Sequence, residues 1–245
     1  MDARFFTDIG RTRTRNEDAG GVFKNHTGQV LLLICDGMGG HNAGDVASSF
    51  VTARMKERFQ EENYIEDHQA ENWLKSNISD INRQLYQLAH QDDENQGMGT
   101  TIVAALLYDD KAVIANVGDS RAYFVNEREF RQVTNDHTFV NHLVMAGELS
   151  KEEAARHPQR HIITKVVGSD KRLHPDIFTY ETKHYDKILL TSDGLTDYVD
   201  EQVIHHVFNE EGELETIGEK LIDLALSSDV NDNVSFVIGD FGGVR

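Results

Sequence analysis

Aspartates stand beside glycine where apolar runs end: Asp36-Gly37, Gly118-Asp119 and Asp193-Gly194, with Asp232 just before the last apolar run. Asp36 is the sharpest case. Val30-Leu31-Leu32-Leu33-Ile34-Cys35 breaks into it, and Gly37-Met38-Gly39-Gly40-His41 follows as a glycine-rich turn. A carboxylate at the lip of a buried strand is costly unless a cation or hydrogen-bond donors compensate it. Taken singly, each Asp-Gly reads as a turn. Taken together, acids delivered to one rim from separate strands repel one another unless cations hold them. Carboxylate, carbonyl and water ligands suit hard cations such as Mg2+ or Mn2+. Two such ions about 3.5–4 Å apart form a hydrolytic site with a bridging water. The stretch Gly10-Arg11-Thr12-Arg13-Thr14-Arg15-Asn16-Glu17-Asp18 adds arginines ahead of two acids. A guanidinium fork matches phosphate oxygens, although by itself the stretch also reads as a basic arm on an acidic protein.

The elements that must carry these residues follow from periodicity. Gly20 to Lys24 and Gln29 to Cys35 flank Asn25-His26-Thr27-Gly28 and predict a hairpin. Asn42 is placed to cap a helix over 43–60, whose face is Ala47, Val51, Met55 and Phe59. Leu74, Ile78, Ile81, Leu85 and Leu88 mark a second helix over 70–90. Four short apolar runs, 101–108, 112–117, 121–125 and 129–133, predict an antiparallel meander. From Asp136 to Gly168 the chain turns polar and helical, with Ser150-Lys151-Glu152-Glu153 as a capping box. That excursion reads equally as a functional lid or a surface helical hairpin. A strand over 187–191 ends in Ser192-Asp193-Gly194, and two helices (201–209 and 213–228) precede a closing strand over 233–240. Strands and helices in blocks, without strict alternation, predict an α+β fold with antiparallel sheets.

The bulk properties narrow the function. The 245 residues suit one domain over 1–245, with two prolines and no linker-like stretch. With 42 acidic against 24 basic residues the net charge is −18, which argues against nucleic-acid binding. An anionic substrate would be repelled at long range, so a phosphate site needs local positive charge from metal or arginine. The start Met1-Asp2-Ala3-Arg4 lacks a signal-peptide core, and no apolar run nears the ~20 residues of a membrane helix. Cytoplasmic residence, no membrane contact and a monomer are the expectations. Cys35 is the only cysteine, so no intrachain disulfide can form.

The ordered motifs resemble the metal-dependent type 2C serine/threonine protein phosphatases in their bacterial form. They are Asp8-Ile9-Gly10 through Asp18, Asp36-Gly37-Met38-Gly39-Gly40-His41, Met98-Gly99-Thr100-Thr101 and Asn116-Val117-Gly118-Asp119-Ser120-Arg121, then Asp136-His137-Thr138, Ala154-Ala155-Arg156-His157-Pro158, Thr191-Ser192-Asp193-Gly194-Leu195 and Asp232-Asn233-Val234-Ser235. The resemblance spans nearly the whole chain. It implies a four-layer sandwich, two packed antiparallel β-sheets flanked by α-helices, with the 136–168 segment as a flap beside the active site. It implies two Mn2+ or Mg2+ ions, with a third in bacterial relatives. Asp36 would bridge the two, the Gly37 carbonyl would bind one of them, and Asp193 and Asp232 would hold the other. Glu17 would act through a water, Asp18 would orient the ligands, and Asp119 with Asp193 would form the third site. Arg13 would bind the phosphate. The implied activity is hydrolysis of phosphoserine and phosphothreonine in proteins, opposing a bacterial Ser/Thr kinase, with a single phosphorylated regulator as a narrower substrate.

Departures and rivals sharpen this. Asp229-Val230-Asn231 stands where relatives carry Gly-Gly, and Ser235 replaces a threonine. Met38 occupies the place of a histidine proton donor in eukaryotic relatives, leaving a water or His41 to protonate the leaving alkoxide. A cysteine phosphatase needs an arginine six residues after Cys35, where His41 stands. The serine-hydrolase elbow, the dinucleotide fingerprint and the Walker A sequence are all missing. His205-His206 reads as a surface pair on an amphipathic helix. A catalytically dead, phosphoprotein-binding version of the fold should have lost one of Asp36, Asp193 and Asp232, and all three are present.

Overall fold

The computed structural model describes residues 1–39, 43–91 and 95–242. Along the chain the elements are β1 (Asp2–Asp8), β2 (Asp18–Lys24), β3 (Val30–Met38), α1 (Ala43–Glu61), α2 (Asp67–Ala89), β4 (Gly99–Thr100), β5 (Ile102–Leu107) and β6 (Lys111–Val117). Then come β7 (Arg121–Val125), β8 (Phe130–Gln132), α3 (Phe139–Met145), α4 (Lys151–Ala155), β9 (Asp176–Glu181), β10 (Lys187–Thr191), α5 (Asp193–Thr196), α6 (Glu201–Phe208), α7 (Leu214–Ser227) and β11 (Val234–Asp240).

The unbroken apolar run of β3 has a simple cause: both of its faces are covered. Leu31, Leu33 and Cys35 point into a core shared with Val51, Met55 and Phe59 of α1 and Leu74, Ile78 and Ile81 of α2. Leu32 and Ile34 point the other way, into a core shared with Phe124, Ile188, Leu190 and Val237. That second core lies between two antiparallel sheets. One runs β1-β11-β10-β7-β8; the other runs β2-β3-β5-β6-β9, with β4 paired to β3. Beyond the first sheet, Leu195, Ile204, Ile217 and Leu221 of α5–α7 pack on Tyr123, Leu189 and Phe236. The order helix, sheet, sheet, helix is the expected four-layer sandwich.

Several local expectations need correction. The meander does not form: β5 and β6 pair, but β7 pairs with β10 and β8 in the other sheet. The crossing occurs at Gly118, whose φ of 103° turns the chain out of one sheet and toward the other. β3 does not stop at Asp36 but continues to Met38, because Gly37 and Met38 pair with Thr100 and Gly99 of β4. Asp193 opens the short helix α5, which the apolar pattern did not mark. β1 and β9 fill sheet edges that the apolar pattern did not mark. Other expectations hold: the hairpin register runs from Asp18↔Asp36 to Lys24↔Val30, and Ser150 and Glu153 make both capping-box bonds. Asn42 and His41 lie outside the described residues.

Candidate metal centre

The sheet registers bring the predicted acids to one end of the sandwich. Asp18 of β2 stands opposite Asp36 of β3. Thr191↔Phe236 pairing sets the end of β10, and so Asp193, beside the start of β11, and so Asp232. The backbone of Asp36 is locked: its N–H donates to Thr101 Oγ1 at 2.9 Å, and its carbonyl accepts from Thr101 N–H and Thr100 Oγ1, each at 2.8 Å. Thr101 Oγ1 is in turn 2.6 Å from Ser120 Oγ, tying Asp36 to the corner that carries Asp119. Ser192 Oγ donates to Asp18 Oδ2 at 2.9 Å, linking the third strand end to the second.

Asn233 holds the arginine loop. Its Oδ1 accepts from Glu17 N–H at 2.8 Å, and its Nδ2 donates to the carbonyls of Ile9 and Arg15, each at 2.9 Å. Glu17 in turn accepts, through its backbone carbonyl, from Gly37 N–H at 3.0 Å. Arg13 folds onto the acids it was expected to serve beside: Nη2 is 2.8 Å from Asp232 Oδ1 and Nη1 is 3.6 Å from Glu17 Oε2. Its Nε donates to the Asn231 carbonyl at 3.0 Å.

The electrostatics are those of charge without enough partners. Burial first, then the charges of Asp18, Asp193, Asp119 and Asp232, hold the Asp36 carboxyl well above the usual carboxylate range. Asp193 is raised likewise, by burial and then by Asp119, Asp197, Asp232 and Asp18. Burial pushes Asp18 up to about 7 against the hydrogen bonds of Ser235 and Ser192, with Asp232 adding to the rise. Burial and then Asp136 push Asp119 up to about 7, with Arg121 opposing. Asp193 Oδ1 is buried and accepts no hydrogen bond. A buried carboxylate oxygen without a donor is a costly state that a bound cation relieves. The donor set, all oxygen at its centre, fits hard divalent cations.

The protein phosphatase 2C family model matches residues 10–221. The chain belongs to that family. Among solved structures, the serine/threonine phosphatase Stp1 of Staphylococcus aureus is 56% identical, with a TM-score of 0.96 and coverage of 99% of this chain and 95% of that one. A serine/threonine phosphatase of Listeria welshimeri is 38% identical over 97% of this chain and 95% of its own. The catalytic domain of the phosphatase PstP, solved in complex with two manganese ions, is 31% identical with a TM-score of 0.84, covering 98% of this chain and 97% of that one.

Within this phosphatase 2C fold the segment 136–168 forms a small subdomain of α3 and α4. It is rooted at both ends: Thr164 N–H donates to the His137 carbonyl at 2.7 Å, and Gly168 N–H donates to Asn82 Oδ1 at 2.8 Å. Sequence reasoning gave no role to Arg121, Asp197, His161 or Asn233, which this end of the sandwich brings in. His205, read as a surface residue, places Nε2 2.9 Å from the Asn126 carbonyl.

Gly194 fixes how closely α5 approaches β11. A Cβ there would lie 1.9 Å from the Asn233 carbonyl oxygen, so the helix that starts with Asp193 can sit here only with glycine. Gly194→Ala should destabilise the protein by about 1–3 kcal/mol. It should also lower metal-dependent activity, because Asp193 moves with α5. A urea midpoint within error of wild type would show that α5 does not set this approach.

Proposed function

We propose that this chain is a metal-dependent protein serine/threonine phosphatase, acting on phosphoserine and phosphothreonine by in-line attack of water. The observation that carries the reading is the buried, mutually repelling set Asp36, Asp193, Asp119 and Asp18, with Asp193 Oδ1 lacking any donor. Asp36, the Gly37 carbonyl, Asp193 and Asp232 would hold two divalent cations, Mn2+ or Mg2+. Asp119 with Asp193 would take part in a third, Glu17 would act through a water, and Asp18 would orient the ligands. When bound, the cations supply positive charge against the phosphoryl oxygens and activate water at neutral pH. The chain's own contribution is position. The hydrogen-bonded Thr100-Thr101 frame fixes Asp36 before substrate arrives, which lowers the cost of aligning the attack. Arg13 stands 2.8 Å from Asp232, so its fork is already at the rim and can take phosphate oxygens once Asp232 is neutralised.

The reading extends to a single catalytic domain over 1–245, acting in the cytoplasm as a monomer opposite a bacterial Ser/Thr kinase. The bacterial sources of the similar phosphatases support the last of these, and the core shared by the two sheets supports the first. No described helix is long and apolar enough to cross a membrane. Hydrolysis of p-nitrophenyl phosphate and of a phosphothreonine peptide should require Mn2+ or Mg2+ and stop with EDTA. Asp193→Ala should lower it by about a hundredfold or more. Activity that survives chelation or this substitution would overturn the metal mechanism. No activity with any cation would favour a phosphoprotein-binding role instead.

A further inference from the structure

Gly118 turns the chain out of one sheet, and Asp119 follows it directly. His137 clasps that corner from the root of the flap. Its ring Nδ1 accepts from the Gly118 N–H at 3.0 Å, and its own N–H donates to the Gly118 carbonyl at 2.9 Å. A main-chain N–H only donates, so Nδ1 is the bare nitrogen of a neutral ring and the ring proton is on Nε2. Nε2 in turn stands 3.1 Å from Asp176 Oδ2 on β9. The other oxygen of Asp176 accepts from Lys165 Nζ at 2.7 Å. Burial holds the His137 ring below its usual pKa against the pull of Asp176, which also favours the neutral form. The His137 carbonyl accepts from Thr164 N–H at 2.7 Å and from Thr164 Oγ1 at 3.0 Å, so the returning chain of the flap closes on the same residue.

We propose that His137 is a positioning residue for the hydrolysis: its Nδ1 holds Gly118 and so aims the Asp119 carboxylate. A glycine has no side chain to limit its turn. A Cβ at position 118 would lie 2.5 Å from Thr101 Cγ2, so a side chain has no room there. The corner therefore aims the next residue only if its own N–H and carbonyl are held, and His137 takes both. Asp176 adds to this from the far side of the ring, because a carboxylate facing Nε2 keeps the proton there and leaves Nδ1 free to accept. Since His137 also takes Thr164, the flap root and Asp119 are set as one piece. The proposal rests on the reading of Asp119 as an acid that serves the metal-dependent reaction.

Two conservative substitutions separate the ring nitrogens. Asparagine carries its amide oxygen where Nδ1 stands, and glutamine carries its amide where Nε2 stands. With Mn2+ and a phosphothreonine peptide, His137→Gln should lower kcat/KM about tenfold or more, in line with the loss of a partner that orients a metal-site residue. His137→Asn should recover most of that loss. In the Asp119→Asn background His137→Gln should cost nothing further, because the acid it aims is already disabled. Hydrogen exchange at the Gly118 amide, followed in EDTA without substrate, should be about tenfold or more faster in His137→Gln than in wild type or His137→Asn. Wild-type activity in His137→Gln, or a glutamine penalty as large with Asp119→Asn as without it, would overturn the positioning role. So would an asparagine variant as impaired as the glutamine one while its Gly118 amide stays protected, since the ring's other face would then carry the effect. A wild type inactive with every cation would sink the phosphatase reading itself, whereas an active wild type indifferent to the loss of the Gly118 bond sinks only the role of His137.

Discussion

Asp36→Asn should raise the stability of the chelated protein at pH 8 while lowering phosphatase activity by about a hundredfold or more. The two effects have one cause. Asp36 is held in place by backbone bonds to Thr100 and Thr101, which asparagine keeps. What the substitution removes is a charge that burial, Asp18, Asp193, Asp119 and Asp232 all oppose. The pH dependence gives the sign. A carboxylate whose folded pKa is raised keeps its proton in the native state over a range where the unfolded chain has already lost it. Stability therefore falls as pH rises from the unfolded value near 4 through the folded value, and stays low above it. For Asp18 the rise from 3.8 to about 7 is worth on the order of 4 kcal/mol above pH 7. The acids share one field, so their separate costs do not add. In EDTA the wild type should be more stable at pH 5 than at pH 8, and Asp36→Asn should gain about 1–3 kcal/mol at pH 8 and little at pH 5. Mn2+ should reverse the ranking, because ligand binding to the native state stabilises only the protein that still holds the ions. Urea midpoints at the two pH values, with EDTA and with Mn2+, check all four arms. A chelated wild type equally stable at both pH values, with no gain in the variant, would show that the carboxylates are not under the strain described.

The same residues show why some of the structure was legible and some was not. The β2–β3 hairpin and β10 could be read because their apolar runs end at polar turns and their cores lie on both faces. The meander failed because a local pattern of strand, turn, strand does not say which sheet the next strand joins. Gly118 and the pairing of β7 with β10 decide that through long-range contacts. β1 escaped notice as a half-exposed edge strand. Its Phe6 is covered by partners distant in the chain, Phe236 at 5.3 Å across the sheet and Gly218 of α7. α5 is too short to show a helical period, so nothing in the sequence marked it. The acids of the candidate site, Asp36, Asp119, Asp193 and Asp232, were visible because each stands beside an apolar run. Their partners were not, because Asp197, His161 and Arg121 meet only in the folded chain. Arg121 left a trace: it is the one basic residue between Ala112 and Phe124, in a stretch otherwise apolar enough to be buried.

Arg121→Ala should be among the most damaging substitutions outside the acids themselves. Its side chain is 20% exposed, and its guanidinium joins two places through three partners. Nε and Nη2 lie 2.9 and 2.8 Å from Asp136 Oδ2 at the root of the flap. Nη1 donates to Thr196 Oγ1 at 3.0 Å, and Nη2 is 3.6 Å from Asp197 Oδ1, both at the end of α5. Removing one partner of a buried ion pair costs about 3–5 kcal/mol, because the remaining charge stays buried and unpaired. Here two carboxylates would be left, Asp136 and Asp197, which both already push Asp119 up, and Asp197 pushes Asp193 up as well. Arg121→Lys keeps the charge but cannot hold Asp136 and Thr196 with separate nitrogens in one plane. It should recover only part of the loss. Asp136→Asn added to Arg121→Ala should cost less than the two single losses summed, and that coupling in urea midpoints separates the ion pair from general loss of packing. If Lys restored full stability, charge alone would suffice and the fork would be incidental. If the alanine variant lost under about 1 kcal/mol, α5 would be held by Leu195 and its apolar neighbours, and the flap root would be free to move independently of Asp193.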